Sequence, residues 1–202
     1  MIIITILLTQ IAAAASASES NTIWLVSDHI DTSQRPSLSD ADLFDVLSDD
    51  TEPQLYLVQI DDRHRSALES AMASWDYIPD NAYLISASRN EISRLRSSTG
   101  IRWVGQLRPN QKMHPSLNQT SSTPIKSLLV TIRGDPERVI RRLESALPNI
   151  QIHFVRDDRM RVDIDPDQLS ETLDELANDP AVVIIERRVR PRFFNRCSRV
   201  FI

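Results

Sequence analysis

The stretch DYIPDNAYLISAS, Asp76–Ser88, sets two short apolar runs around a Pro79-Asp80-Asn81 turn. Pro, Asp and Asn each favour a tight turn, so the stretch reads as a β-hairpin. A second stretch of the same layout, HFVRDDRMRVDID, His153–Asp165, turns at Asp157-Asp158. A hairpin that occurs twice points to a doubled unit.

Working outward from the first hairpin, LYLVQI (Leu55–Ile60) is a continuous apolar, β-rich run, which predicts a buried strand. The following RHRSALESAMASW places Ala67, Leu68, Ala71, Met72 and Trp75 on one helical face. Ser88 and Glu91 have capping-box spacing and open a second helix with Ile92 and Leu95 inward. Gly100 stops that helix, and IRWVGQL (Ile101–Leu107) is a strand. The order is β-α-β-β-α-β.

The order then starts again. SLLVTIR (Ser127–Arg133) is a strand, and Asp135 caps a helix with Pro136 in its first turn. Val139, Ile140, Leu143, Ala146 and Leu147 face inward. Strands Ile150–Val155 and Met160–Ile164 flank the turn, and Asp165-Pro166 opens a helix with Leu169, Leu173 and Leu176 inward. AVVIIER (Ala181–Arg187) closes the unit. The expected fold class is α+β: two tandem ferredoxin-like modules, each an antiparallel sheet with two helices on one face. The other sheet face is left for a partner.

The domain boundaries follow: residues 1–17 a signal peptide, 18–53 an acidic flexible spacer, 54–113 the first module, 114–125 a linker, 126–195 the second module and 196–202 a tail. The polar linker with two prolines predicts separable modules. The N-terminal apolar run with Ala-x-Ala at Ala13–Ala15 and Ala15–Ala17 reads as a cleavable secretory signal, with a membrane anchor or a different start as alternatives. The mature chain is then expected to be secreted and free of the membrane. Asn118-Gln119-Thr120 is a glycosylation sequon.

Composition argues against several function classes. The net charge of −5 disfavours a phosphate-seeking surface, and only Tyr83 stands where RNA-recognition modules place aromatics, so no nucleic-acid partner is expected. One cysteine, Cys197, forms neither an internal disulfide nor a cysteine-based metal site. His29, His64, His114 and His153 are scattered without ligand spacing, so no metal or cofactor is expected. His64 beside Asp61 and Asp62 reads as a solvated helix start rather than a dyad. Three glycines, Gly100, Gly105 and Gly134, do not make a phosphate loop. Trp75 and Trp103 read as core.

The stretches YLVQI (Tyr56–Ile60), WDYIPDNAYLISAS (Trp75–Ser88) and GIRWVGQLRPNQKMHPSL (Gly100–Leu117), followed by VVIIERRVRPRFFN (Val182–Asn195), resemble the N-terminal prosegment of secreted subtilisin-like serine proteases, in the branch with tandem propeptide-like modules. The resemblance covers residues 54 to 195 and is more specific in the first module. It implies a folding chaperone and temporary protease inhibitor that docks a sheet on the protease and lays its C-terminal tail in the substrate cleft. Arg187, Arg188, Val189, Arg190, Pro191, Arg192, Phe193, Phe194 and Asn195 are the expected binding residues. The family's catalytic Asp, His and Ser motifs have no counterpart in this sequence, so no enzyme activity is expected of it. A truncated gene, a fragment and a free-standing inhibitor all fit, with the protease domain as partner in cis or in trans. The alternative is a secreted, non-catalytic interaction or scaffold module with two ferredoxin-like domains.

Overall fold

The computed structural model describes residues 20–38, 53–66, 68, 75–118, 124–156 and 158–188. The expected signal peptide, residues 18–19 and 39–52 of the expected spacer, the expected helical positions Ala67, Ala71 and Met72, and residues 189–202 lie outside the described residues.

The chain is α+β, with antiparallel sheets and three α-helices among the described residues. The first four-stranded sheet comprises β3 (Gln54–Ile60), β4 (Trp75–Ile78), β5 (Ala82–Ala87) and β6 (Ile101–Gln106) in the order β4-β5-β3-β6. The second comprises β7 (Ser127–Ile132), β8 (Gln151–Arg156), β9 (Arg159–Asp163) and β10 (Val182–Arg187) in the order β10-β7-β9-β8. Counted along the chain within each sheet, both read second, third, first, fourth.

The local reasons are as expected. Asp80 and Asn81 take φ of 69° and 57°, the left-handed turn conformation that Asp and Asn tolerate, and join β4 to β5. Trp75 belongs to β4, not to the preceding helix. Ser88 and Glu91 form the capping box of α1 (Arg89–Arg96), burying Ile92 and Leu95. Asp135 caps α2 (Pro136–Ala146), which buries Val139 and Leu143, while Ala146, expected inward, is exposed. The Asp165-Pro166 signal opens a 3-10 turn, Pro166–Gln168, before α3 (Leu169–Asn178).

Each sheet packs its inner face on a helical core. Val58, Tyr83, Ile85 and Val104 meet Ile92 and Leu95 in the first. Val130, Met160, Val162 and Ile185 meet Leu143 and Leu176 in the second. The outer face of the first sheet is apolar as well: Leu55, Leu57, Ala82, Leu84 and Trp103 form a third core.

That third core corrects the reading of residues 18–53 as a spacer. β1 (Thr22–Trp24) and β2 (His29–Asp31) pair as a hairpin, and Ile23 and Ile30 pack on the outer face. Thr22–Trp24 is thus a strand with a partner and a surface to cover. Fully buried Gln59 anchors it: the Thr32 hydroxyl donates to Gln59 Oε1 (2.8 Å), and Gln59 Nε2 donates to the carbonyls of Ser20 (3.0 Å) and Asp80 (3.1 Å). Arg102 donates to the Asn21 side chain at 2.7 Å. Farther on, Trp103 Nε1 donates to the Arg35 carbonyl (3.0 Å), and Leu38 N–H pairs with the Val104 carbonyl (2.9 Å) along the edge of β6. The Trp103 indole lies across Gly105, where a Cβ would sit 2.0 Å from the ring.

The expected connector between the halves is also structured at its start. A 3-10 turn, Pro109–Lys112, leads to Met113, which bridges Ile185, and His114 N–H pairs with the Ile185 carbonyl at 2.9 Å. Residues 113–114 thus lie along the edge of β10. Lys112 Nζ, almost wholly buried, donates to the Asp179 carbonyl at 2.7 Å. The Asp179 carboxylate is held by Arg142 Nε (2.6 Å) and Nη2 (2.7 Å) and by the Ala181 N–H (2.9 Å). Arg133, just past β7, donates to Asp76 of β4 (Nε, 3.0 Å). The halves therefore meet through one buried and one half-exposed polar contact, Lys112 to Asp179 and Arg133 to Asp76.

Two outcomes follow from these anchors. Gln59→Ala leaves the Asp80 carbonyl without its donor and removes one of two partners from the Ser20 carbonyl and the Thr32 hydroxyl; it should cost about 1–3 kcal/mol, read from urea unfolding, with faster amide exchange at Ile23 and Ile30 than at Val130 and Val162. Burial pulls the Lys112 ammonium down to about 8, against the opposing pull of Asp179. The unfolded chain keeps that proton until about pH 10.4, so from about pH 8 to there it binds more protons and stability rises with pH. The rise should be on the order of 1–3 kcal/mol in urea midpoints and absent from Lys112→Met; parallel profiles would refute it.

Candidate functional site

The outer face of the second sheet is polar, unlike that of the first. In β9 the sequence alternates, with Met160 and Val162 inward and Arg161 and Asp163 outward. Across the sheet Arg161 lies opposite His153 of β8 and Leu129 of β7, and Leu129 lies opposite Glu186 of β10. His153 Nε2 is 3.3 Å and Arg161 Nη2 is 3.0 Å from Asp163 Oδ2. His114 Nε2 is 3.9 Å from Glu186 Oε1. Burial pushes the Asp163 carboxyl up, but the neighbouring Ser127 hydroxyl, Arg161, His153 and Arg188 together hold it below the usual range. Exposed pairs of this kind contribute little stability, so their effect is a fixed charge pattern on a half-exposed surface.

The expected binding residues divide at this face. Arg187 is the last residue of β10, opposite Leu128, and its N–H donates to Ser116 Oγ at 3.2 Å. Arg188 N–H donates to the Ser127 carbonyl at 3.1 Å. Arg187 thus ends the strand expected over Ala181–Arg187, and Arg188 continues the backbone pairing one residue beyond it. Val189, Arg190, Pro191, Arg192, Phe193, Phe194 and Asn195 lie outside the described residues.

A second feature went unforeseen. A groove of ≈ 320 Å³ runs between the hairpin, the first sheet and the start of β10, lined by Trp24, Val26, Ile78, Leu84, Leu107 and Ile184 among others. Trp24 (57%), Val26 (60%) and Tyr77 (49%) are strongly exposed and all border it. The sequence signal was the WLV run, which has no apolar partner until the hairpin is folded onto the sheet.

The histidines stay apart. His64 Nδ1 lies 3.8 Å from Asp61 Oδ2, and its ring packs where a Cβ on Gly100 would sit, 2.2 Å from His64 Cγ, at φ +93°. Asp61 caps the 3-10 turn Asp62–His64 by accepting from Arg63 N–H at 3.1 Å, so the pair serves that turn. Among the described residues no three His, Cys, Asp or Glu side chains converge as a metal site would require.

A family model described as "Domain of unknown function (DUF8729)" matches residues 25–108. The match starts inside the hairpin and ends just beyond β6, so it spans the hairpin's second strand and the whole first sheet. No curated protein matches the chain.

Proposed function

We propose that the chain is a non-catalytic, protein-binding prosegment of the kind found before secreted subtilisin-like proteases, built from two ferredoxin-like units and exported by its N-terminal signal. It acts as folding aid and temporary inhibitor of a protease domain. The shared strand order of the two sheets, each with helices on one face, supports the ferredoxin-like reading. The observation that carries the functional reading is the outer face of the second sheet. At the start of β10 this face meets the third core through Val183, but no described segment packs a core on the part that carries Arg161, Asp163 and His153, and the backbone leaves β10 at Arg188 beside it. A partner surface docked there meets the pattern of Arg161, Asp163, His153 and Glu186, and the residues after Arg188 continue from its edge into the cleft. The first unit has its outer face filled by its own hairpin. That observation favours a scaffold role for the first unit, which is the second reading.

The test is the inhibition constant of the purified chain against subtilisin-like proteases, with circular dichroism as folding control. Removal of residues 189–202 should weaken inhibition by about tenfold or more, since the product-like strand supplies most cleft contacts. Phe193→Ala and Phe194→Ala should each cost about 1–3 kcal/mol where the ring fills a pocket. Arg161→Glu, reversing a charge on the docking face, should weaken inhibition by about fivefold or more. Absence of inhibition, or equal constants for all the folded variants, would defeat the proposal.

A further inference from the structure

An ammonium is costly to bury, because it gives up its water and needs other partners in exchange. Lys112 is almost wholly buried all the same. Its ammonium has three N–H groups, and among the described residues the Asp179 carbonyl is the one acceptor, at 2.7 Å. The Asp179 carboxylate is engaged elsewhere, by Arg142 Nε and Nη2 and by the Ala181 N–H, so it offsets the Lys112 charge only in part.

Beside this ammonium is a pocket of ≈ 350 Å³. That is within the range of about 300–1,000 Å³ usual for small-molecule sites, which occur preferentially where two units meet. Lys112 lines it, as do Asn178 and Pro180, the residues on either side of its acceptor Asp179. Leu55, Leu107 and Pro109 from the first unit and Ala177 from the second give it an apolar wall. Arg108, exposed, lines it as well. Among the described residues no carboxylate lines the pocket, and none pairs with Arg108.

The charge and shape select a ligand class. The C-terminal end of α3 contributes about half a negative charge, less than the two cations of Lys112 and Arg108 together. The balance suits one negative charge and not two. Phosphate is commonly held by backbone N–H groups of a loop or of a helix N-terminus, whereas this pocket has a helix C-terminus beside it. The wall calls for carbon next to the charge.

We propose that this pocket binds a monocarboxylate with a short branched apolar body, the carboxylate between Lys112 Nζ and Arg108 and the body against Leu55, Leu107 and Ala177. The ligand supplies the acceptors that the buried ammonium lacks. It touches both units and so holds them in one orientation. The site is apart from the outer face of the second sheet and does not depend on the protease reading.

The probes are N-acetyl-leucine, which stands for the C-terminus of a peptide, and 4-methylpentanoate, a free acid with the same branched body. Each is titrated into the full chain labelled with nitrogen-15, and the amide shifts of Leu107, Lys112 and Asn178 are followed. At least one should bind with a Kd of about 1 mM or tighter, and the tighter of the two identifies the source of the carboxylate. N-acetyl-leucine amide, which lacks the charge, should bind at least about tenfold more weakly than N-acetyl-leucine. Lys112→Met and Arg108→Glu should each weaken binding by about tenfold or more with unchanged circular dichroism. Arg108→Glu alters an exposed side chain, so it reads the site even where Lys112→Met disturbs the fold. No shift up to about 10 mM of either acid, equal binding of the amide, equal binding of inorganic phosphate, or indifference to Arg108→Glu would overturn the site.

Discussion

A strand that is apolar on both faces has to be covered twice, and β3 is such a strand: every residue from Leu55 to Ile60 is buried. The helical layer covers Tyr56, Val58 and Ile60, and the hairpin of β1 and β2 covers the side that carries Leu55 and Leu57. Gln59 sits in the middle of that second side. A fully buried amide there is tolerable only because its oxygen and nitrogen are both engaged by the segment that covers it. The same contact that hides the apolar face therefore satisfies its one polar group, and neither holds without the other.

This constraint separates two sheets that share a strand order. In the first, the outer face is apolar and internal to the chain. In the second, β9 alternates and places Arg161 and Asp163 outside, so water or a polar partner can stay there. The sheets do not meet as equals. Lys112 reaches from the end of the first unit to the Asp179 carbonyl at the end of α3, and Asp179 in turn is pinned by Arg142. A buried ammonium at the junction ties the orientation of one unit to the other, because sliding would leave it without its carbonyl acceptor.

Much of this was legible in the residues. The strand order, the Pro79-Asp80-Asn81 turn, the Ser88 and Asp135 caps and most inward positions follow from periodicity and local chemistry, which act over a few residues. The contrast between LYLVQI, continuous, and RMRVD, alternating, already carried the difference between the two outer faces. What could not be read is nonlocal. A hairpin of two three-residue strands has little signal of its own in a Ser- and Asp-rich stretch; it exists because a sheet up to 84 positions farther along the sequence supplies its floor. Lys112, in a polar stretch that looked like the approach to a linker, is buried for the same reason. That the pairing runs one residue past the expected strand, to Arg188, depends on Ser127, which is remote in sequence.

The distance between the hairpin and its floor has a consequence for how the chain is made. Synthesis delivers residues 20–38 first, but the surface they rest on is complete only when Trp103 and Leu107 have emerged. A hairpin this short does not hold its shape alone in water. The earliest part of the first unit to leave the ribosome is therefore the last part to be fixed, and for most of that interval Ile23, Trp24 and Ile30 are open to whatever else is nearby.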